Sequence, residues 1–408
     1  MKVLHASWVI CFDHNNKIIQ DGAVVFDNTI IDVGKVPDIK EKYPDIEIEK
    51  CGENSVLMPG LINSHVHLEF SANSTTLKYG SFMDWLRSVM THREKLTEQA
   101  STSLILSKLT QMLNTGTTTI GAISSHDFEM EACLESPINT VYFAEVIGPE
   151  KDLRNTVFAD FKKRVKSIKR NQSSSFIPAI AIHSPYSTHP LLVRNVLALS
   201  KEDDLAVSAH FLESKEECMW LHKNEGVFLE FFTHFLGQDK AATTPMAFLN
   251  QFEHIKHLSF THCVEASVDE LKKISKLGAV INHCVTSNRL LNNTKLDLPN
   301  LQNNDYSIGT DGLSSNNSLS MFDELRNALM MHTCVNINDL AKELLIAATR
   351  VGAKALGLEK GVLSKGKDAD MIVCNLPGSI ENEADLFTHI ILHTKFATQI
   401  IINGIKHG

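Results

Sequence analysis

Residues 60–70 read GLINSHVHLEF, an apolar run that closes on two histidines, His65 and His67, one residue apart. In a strand, residues two apart point to the same side. An H-x-H at a strand end therefore aims two imidazoles at one place. Alone, the pair fits two unrelated histidines as well as it fits a metal site. The remainder of the chain decides between them.

Seven more short apolar segments lie downstream: TTTIGAIS (117–124), NTVYFAEVIG (139–148), FIPAIAIH (176–183), LAVSAHF (205–211), HLSFTHC (257–263), GAVINHC (278–284) and YSIGTDG (306–312). Amphipathic stretches lie between most of them, as at Thr97 to Asn114, Leu153 to Lys169, Leu191 to Ser200 and Val268 to Leu277. Strands that are apolar on both faces belong to parallel sheets covered by helices. Eight strand–helix units in ~300 residues predict a (β/α)8 TIM barrel over residues 59–363, in preference to an open doubly wound sheet. Residues 228–256 fit no repeat and are expected to be an insertion. SWVICFD, GAVVFDN and IIDVGK near the start, and ADMIVCN and ATQIIING near the end, read as strands between turns. Residues 1–58 and 364–408 are thus expected to join in one small β-sandwich beside the barrel.

A TIM barrel builds its active site from the C-terminal ends of its strands. The first strand ends in His65 and His67, the fourth in His183, and the fifth in His210, with Glu213 three residues on. The sixth ends in His262, the seventh in His283, with Ser287 and Asn288 beyond, and the eighth in Asp311. One or two such groups could be satisfied core residues; six strands out of eight cannot all be explained so. His65, His67, His210 and Asp311 form a metal-ligand set suited to Zn2+ or Fe2+. Binuclear sites of this type commonly use a lysine on the fourth strand. FIPAIAIH has none, so one divalent ion is expected. His222, His234, His254, His257 and His332 lie in helix-like or loop segments and read as surface or structural groups.

On these motifs the chain resembles the amidohydrolase superfamily, in its nucleoside and S-adenosylhomocysteine deaminase or chlorohydrolase branch. The carriers are PGLINSHVHLEF, NTGTTTIGAIS, AIHSPYS, HFLES, THCV, HCVTSNRLL and GTDGLSSNNSLSMFDELRNAL, which span most of the chain. YGSFMDWLRSV, HFLES, SNRLL and TDGLSSN resemble the aminodeoxyfutalosine deaminases of menaquinone biosynthesis. The resemblance implies hydrolytic deamination of a 6-aminopurine nucleoside, with His65, His67, His210 and Asp311 as metal ligands. It implies that Glu213 binds the purine and moves a proton, and that His262 and Asp311 act at the reacting carbon. Glu94 and His183 would hold the ribose, with Ser287 and Arg289 also in the substrate-binding set. Arg289, Arg93 and Arg87 are candidates for a substrate carboxylate, and Phe82 and Trp85 for an aromatic wall. One departure is Val285, where the family usually has proline after the histidine.

A net charge of −9 without a basic block argues against a nucleic-acid partner. No apolar run approaches the ~20 residues that cross a bilayer, and no signal peptide is legible. The eight cysteines are scattered without a C-x-x-C pair, as in a reduced cytoplasmic protein. A homodimer is the family expectation. Three alternatives stand beside this reading: deamination of S-adenosylhomocysteine, methylthioadenosine or adenosine; action on guanine or a triazine; and a non-catalytic scaffold on the same fold. A sugar-cleaving barrel with two carboxylates fits the histidine-rich strand ends poorly.

Overall fold

The computed structural model describes residues 1–73 and 75–407. Eight parallel strands pair in sequence order: β1 (Leu61–Val66), β2 (Thr117–Ser124), β3 (Asn139–Val146), β4 (Phe176–Ile182), β5 (Ala206–Phe211), β6 (Leu258–His262), β7 (Val280–His283) and β8 (Tyr306–Ile308). Every residue of β1, β2, β3, β5, β6 and β7 is buried. This explains why their sequences show no polar alternation. Helices Arg154–Arg170, Pro190–Asp203 and Val268–Lys276 fall within a few residues of the amphipathic stretches read from the sequence.

The ends of the barrel meet at β1 and β8, through side chains and the residues beyond β8. Ser64 Oγ donates to the Ile308 carbonyl at 3.0 Å, and Asn63 Nδ2 to Thr310 Oγ1 at 2.7 Å. Asp311 N donates to the His65 carbonyl at 3.0 Å. Two glycines allow this approach. A Cβ on Gly309 would stand 2.8 Å from His65 Cβ, and one on Gly312 would stand 2.8 Å from the His67 carbonyl oxygen. The GTDG motif is therefore a packing requirement of the seam as well as the carrier of Asp311.

Two segments depart from the sequence expectation. The stretch from Thr97 to Asn114 is not one helix: α1 (Phe82–Gln99) ends there and α2 (Thr102–Asn114) begins, with Ser101 capping α2 by accepting from Leu104 N. The unassigned residues 228–256 are helical in part, as Val227–Leu236 and Pro245–Leu249.

Both chain ends build the small β-region, and its strands form one continuous mixed sheet. Lys2–Ile10 pairs antiparallel with Ile18–Phe26 and parallel with both Ile48–Lys50 and Ser55–Pro59. The C-terminal strand Met371–Asn375 pairs antiparallel with Ser55–Pro59. Alternate residues separate the two faces. Val9, Leu57, Met371 and Ile401 share a core within the sheet, whereas Trp8, Met58, Ile372 and Ile400 join the cluster that contains Leu61 and Ile120 of the barrel.

Asp370 fastens this sheet to the barrel. Its Oδ2 accepts from Lys360 Nζ at 2.7 Å and from Asn139 Nδ2, at the base of β3, at 2.9 Å; its Oδ1 accepts from Asn403 N at 2.7 Å. Both members of the ion pair are buried. Asp370→Ala removes three hydrogen bonds and leaves Lys360 its pair with the half-buried Asp368, at 3.1 Å, so it should cost ~1.5–3 kcal/mol. Glu49→Ala, which breaks the surface pair with Lys406, should cost no more than ~1 kcal/mol. Urea unfolding midpoints of the two variants check this ordering.

Candidate active site

At the C-terminal mouth of the barrel, side chains from β1, β5, β6 and the segment after β8 converge. His67 Nε2 lies 3.3 Å from His210 Nε2. Asp311 Oδ1 lies 3.8 Å from His67 Nε2 and 4.0 Å from His65 Nε2. Donor atoms bound ~2.0–2.2 Å from a single ion stand about 3–4 Å from one another, and these spacings fall in that range. His65 Nε2 is buried with no hydrogen-bond partner among the described residues. An orphaned buried nitrogen of this kind costs ~1–3 kcal/mol unless something occupies its lone pair. The donor set therefore fits a divalent cation.

The surroundings orient each donor. His210 Nδ1 lies 2.7 Å from the His183 carbonyl oxygen. A carbonyl can only accept, so the proton sits on Nδ1 and the Nε2 lone pair points inward. His65 Nδ1 meets Thr261 Oγ1 at 3.2 Å. Asp311 Oδ2 accepts from Ser287 Oγ and Ser315 Oγ, both at 2.8 Å, which leaves Oδ1 toward the histidines.

Glu213, His262 and Asp311 form a second cluster beside the first. His262 Nδ1 lies 2.8 Å from Asn288 Oδ1, and its Nε2 faces Glu213 Oε1 at 3.4 Å. Burial, reinforced by the negative Asp311, raises the Glu213 carboxyl well above the usual carboxylate range. Asp311 moves the opposite way. Burial opposes its ionisation, but His67, His262, His65 and the Ser287 hydrogen bond outweigh that and hold it below its ordinary value. Burial lowers His262, against the opposing influence of Asp311 and Asn288. The site thus pushes Glu213 toward its protonated form, while the imidazoles and Ser287 push Asp311 toward its ionised form.

The amidohydrolase family pattern matches residues 56–405. The chain belongs to the amidohydrolase family. An aminodeoxyfutalosine deaminase of a Nitratiruptor species is 43% identical over 390 residues, 96% of either chain. An adenosine deaminase of Helicobacter pylori is 34% identical over 99% of this chain and 98% of its own. The crystal structure of Helicobacter pylori aminofutalosine deaminase in complex with methylthio-coformycin superposes with a TM-score of 0.96 at 33% identity, over 100% of both chains. Family membership and the converging donors make the protein a metal-dependent hydrolase. The scaffold alternative falls away.

Within this amidohydrolase site, His67, His183, His210, Glu213, His262 and Asp311 line one cavity. Other candidates lie elsewhere. Ser287 is fully buried and holds Asp311. Glu94 is exposed on α1, outside the cavity lining. A helix turns ~100° per residue, and here Arg93, one position earlier, faces inward. Arg289 is exposed on α3 (Val285–Asn292), whose buried side carries Ser287 and Asn288. Arg87 is exposed and Phe82 is buried in the core, whereas Trp85 lines the cavity. His283 does not reach the cavity; its Nε2 pairs with His332 Nε2 at 2.9 Å, so His332 is a buried partner.

Sequence reading missed Glu69, Ser125 and Glu145, all buried and all lining the cavity. Ser125 Oγ bridges Glu69 Oε1 at 3.2 Å and Glu145 Oε2 at 2.7 Å. Two signals pointed there. Glu69 continues the two-residue alternation of His65 and His67, and Glu145 is the lone charge at the end of an otherwise apolar strand.

If Ser287 sets the lone pair of Asp311, Ser287→Ala should weaken metal affinity ~10–100-fold. His210→Ala should abolish stoichiometric binding. Chelator competition followed by elemental analysis measures both.

Proposed function

We propose that the protein hydrolytically deaminates a 6-aminopurine nucleoside, converting 6-amino-6-deoxyfutalosine to futalosine and ammonia in menaquinone biosynthesis. The observation that carries this is the placing of two buried carboxyls, Glu213 and Asp311, around His262 beside the imidazole cluster, with their pKa values driven in opposite directions. Such a pair of oppositely shifted carboxyls supplies an acid and a base at one pH. The end-to-end similarity to the Nitratiruptor deaminase supports the choice of substrate.

In this reading His65, His67, His210 and Asp311 hold one divalent ion, zinc or iron(II). When bound, it lowers the pKa of water enough to supply a nucleophile near neutral pH. Glu213 protonates ring N1, which makes C6 electrophilic. Asp311 takes a proton from the attacking water and returns it to the departing amine. His262, held by Asn288, turns Nε2 toward the water and positions it against C6. The C6–O bond forms first, giving a tetrahedral C6. The C6–N bond then breaks, ammonia leaves, and the remaining hydroxyl proton returns to Glu213, leaving the N1–H, C6=O product. His183 and Glu213 line the substrate side of the cavity. The eight cysteines are free thiols, which supports a reducing, cytoplasmic setting.

A second reading, deamination of adenosine, S-adenosylhomocysteine or methylthioadenosine, is supported by the Helicobacter relative named adenosine deaminase. Ammonia release across these nucleosides separates the two. A higher kcat/KM on 6-amino-6-deoxyfutalosine is expected; an equal or higher value on S-adenosylhomocysteine would favour the second reading. Glu213→Gln should lower kcat by ~10²–10⁴ with unchanged metal content. The raised carboxyl must be protonated to act, so wild-type kcat/KM should fall as pH rises through its pKa. A profile flat on its alkaline side would remove Glu213 from the acid role.

A further inference from the structure

We propose that Arg93 is the specificity-determining residue of this cavity, taking the carboxylate of a nucleoside whose 5′ substituent lies against the apolar strip of α1. This rests on the deaminase reading and deepens it. Trp85, Leu86, Val89, Met90 and Arg93 of α1 all line the cavity. Their spacing of three and four places them on one face of the helix. Four are apolar and the last is a cation, so this wall runs from hydrophobic to positive along the helix. The apolar strip reaches solvent. Met90 is 48% exposed, and Ile147, which lines the cavity from beyond β3, is 36% exposed. Apolar side chains left uncovered at the mouth of a polar, histidine-lined cavity suit a substrate that covers them.

Among the described residues, Arg93 is the one lysine or arginine that lines this cavity. Its side chain is 35% exposed and forms a single ion pair, to Glu69 Oε2 at 3.5 Å, with no side-chain hydrogen bond among the described residues. A guanidinium carries five donors in a fork that matches a carboxylate. Most of that capacity is unspent here. Electrostatics sharpen the argument. Glu69 and Glu145 line the same cavity, joined through Ser125. Without Arg93 they would repel an incoming anion; with it, a carboxylate gains charge-assisted hydrogen bonds.

The competing role for Arg93 is to neutralise Glu69 and touch no substrate. The two are separated by comparing 6-amino-6-deoxyfutalosine with its neutral carboxamide, a pair of equal shape and different charge. For Arg93→Gln, the ratio of kcat/KM on the acid to kcat/KM on the amide should fall ~10–100-fold, the size of a lost charge-assisted hydrogen bond. Arg93→Lys should restore part of it, since charge remains and the fork does not. A ratio unchanged within ~3-fold, whether or not both activities fall together, would overturn the proposal and leave Arg93 a partner of Glu69. A wild-type enzyme inactive on every 6-aminopurine nucleoside would instead overturn the deaminase reading itself.

Discussion

The hydrogen bond from Asp311 N to the carbonyl of His65 ties the end of the last barrel strand to the first. A carboxylate nearly 250 residues downstream is thereby placed beside an H-x-H pair. Gly309 and Gly312, which admit no Cβ, permit the approach. Left-handed backbone recurs at several strand ends of the mouth. Asp311 takes φ +58°, and Leu212, His262 and Cys263 take φ +47°, +73° and +54°. Non-glycine residues seldom adopt such values, and those that do cluster where the fold over-determines a functional geometry. Each of these four lies at or just beyond the C-terminal end of a barrel strand, where side chains must turn from the wall toward the axis.

From that geometry the electrostatics follow. Buried imidazoles around Asp311 favour its ionised form, while the Asp311 charge adds to the burial that keeps the proton on Glu213. The shifts are complementary: the cluster that leaves His65 Nε2 without a partner among the described residues also moves the two carboxyls in opposite directions. Ser287, Ser315, Thr261, Asn288 and the His183 carbonyl then fix which atom of each group faces inward. A divalent charge added at the imidazoles would hold Asp311 ionised more firmly still.

The barrel strands were legible because burial on both faces leaves no polar alternation and because each run is short. His65, His67, His183, His210, Glu213, His262 and Asp311 were legible because strand ends converge in this architecture. Residues on helices were legible only in part. One step of register decides whether a helical side chain faces the cavity: of the α1 candidates, Trp85 and Arg93 line it, whereas Glu94, one position on, does not. The strand-end rule also selected His283, since it cannot say that a second histidine, His332, arrives from another segment to satisfy it. Glu145 lies within the apolar β3 and Glu69 two residues beyond His67. Neither carries an imidazole, and only their positions at the ends of apolar strands mark them.

The central claim is that four side chains from three parts of the chain hold one cation. Anomalous diffraction from crystals of the purified enzyme, recorded on either side of the zinc and iron absorption edges, tests it most directly. One peak enclosed by His65 Nε2, His67 Nε2, His210 Nε2 and Asp311 Oδ1 is the predicted result. A peak bound elsewhere, two peaks at this site, or an active enzyme with no peak among these atoms would contradict it.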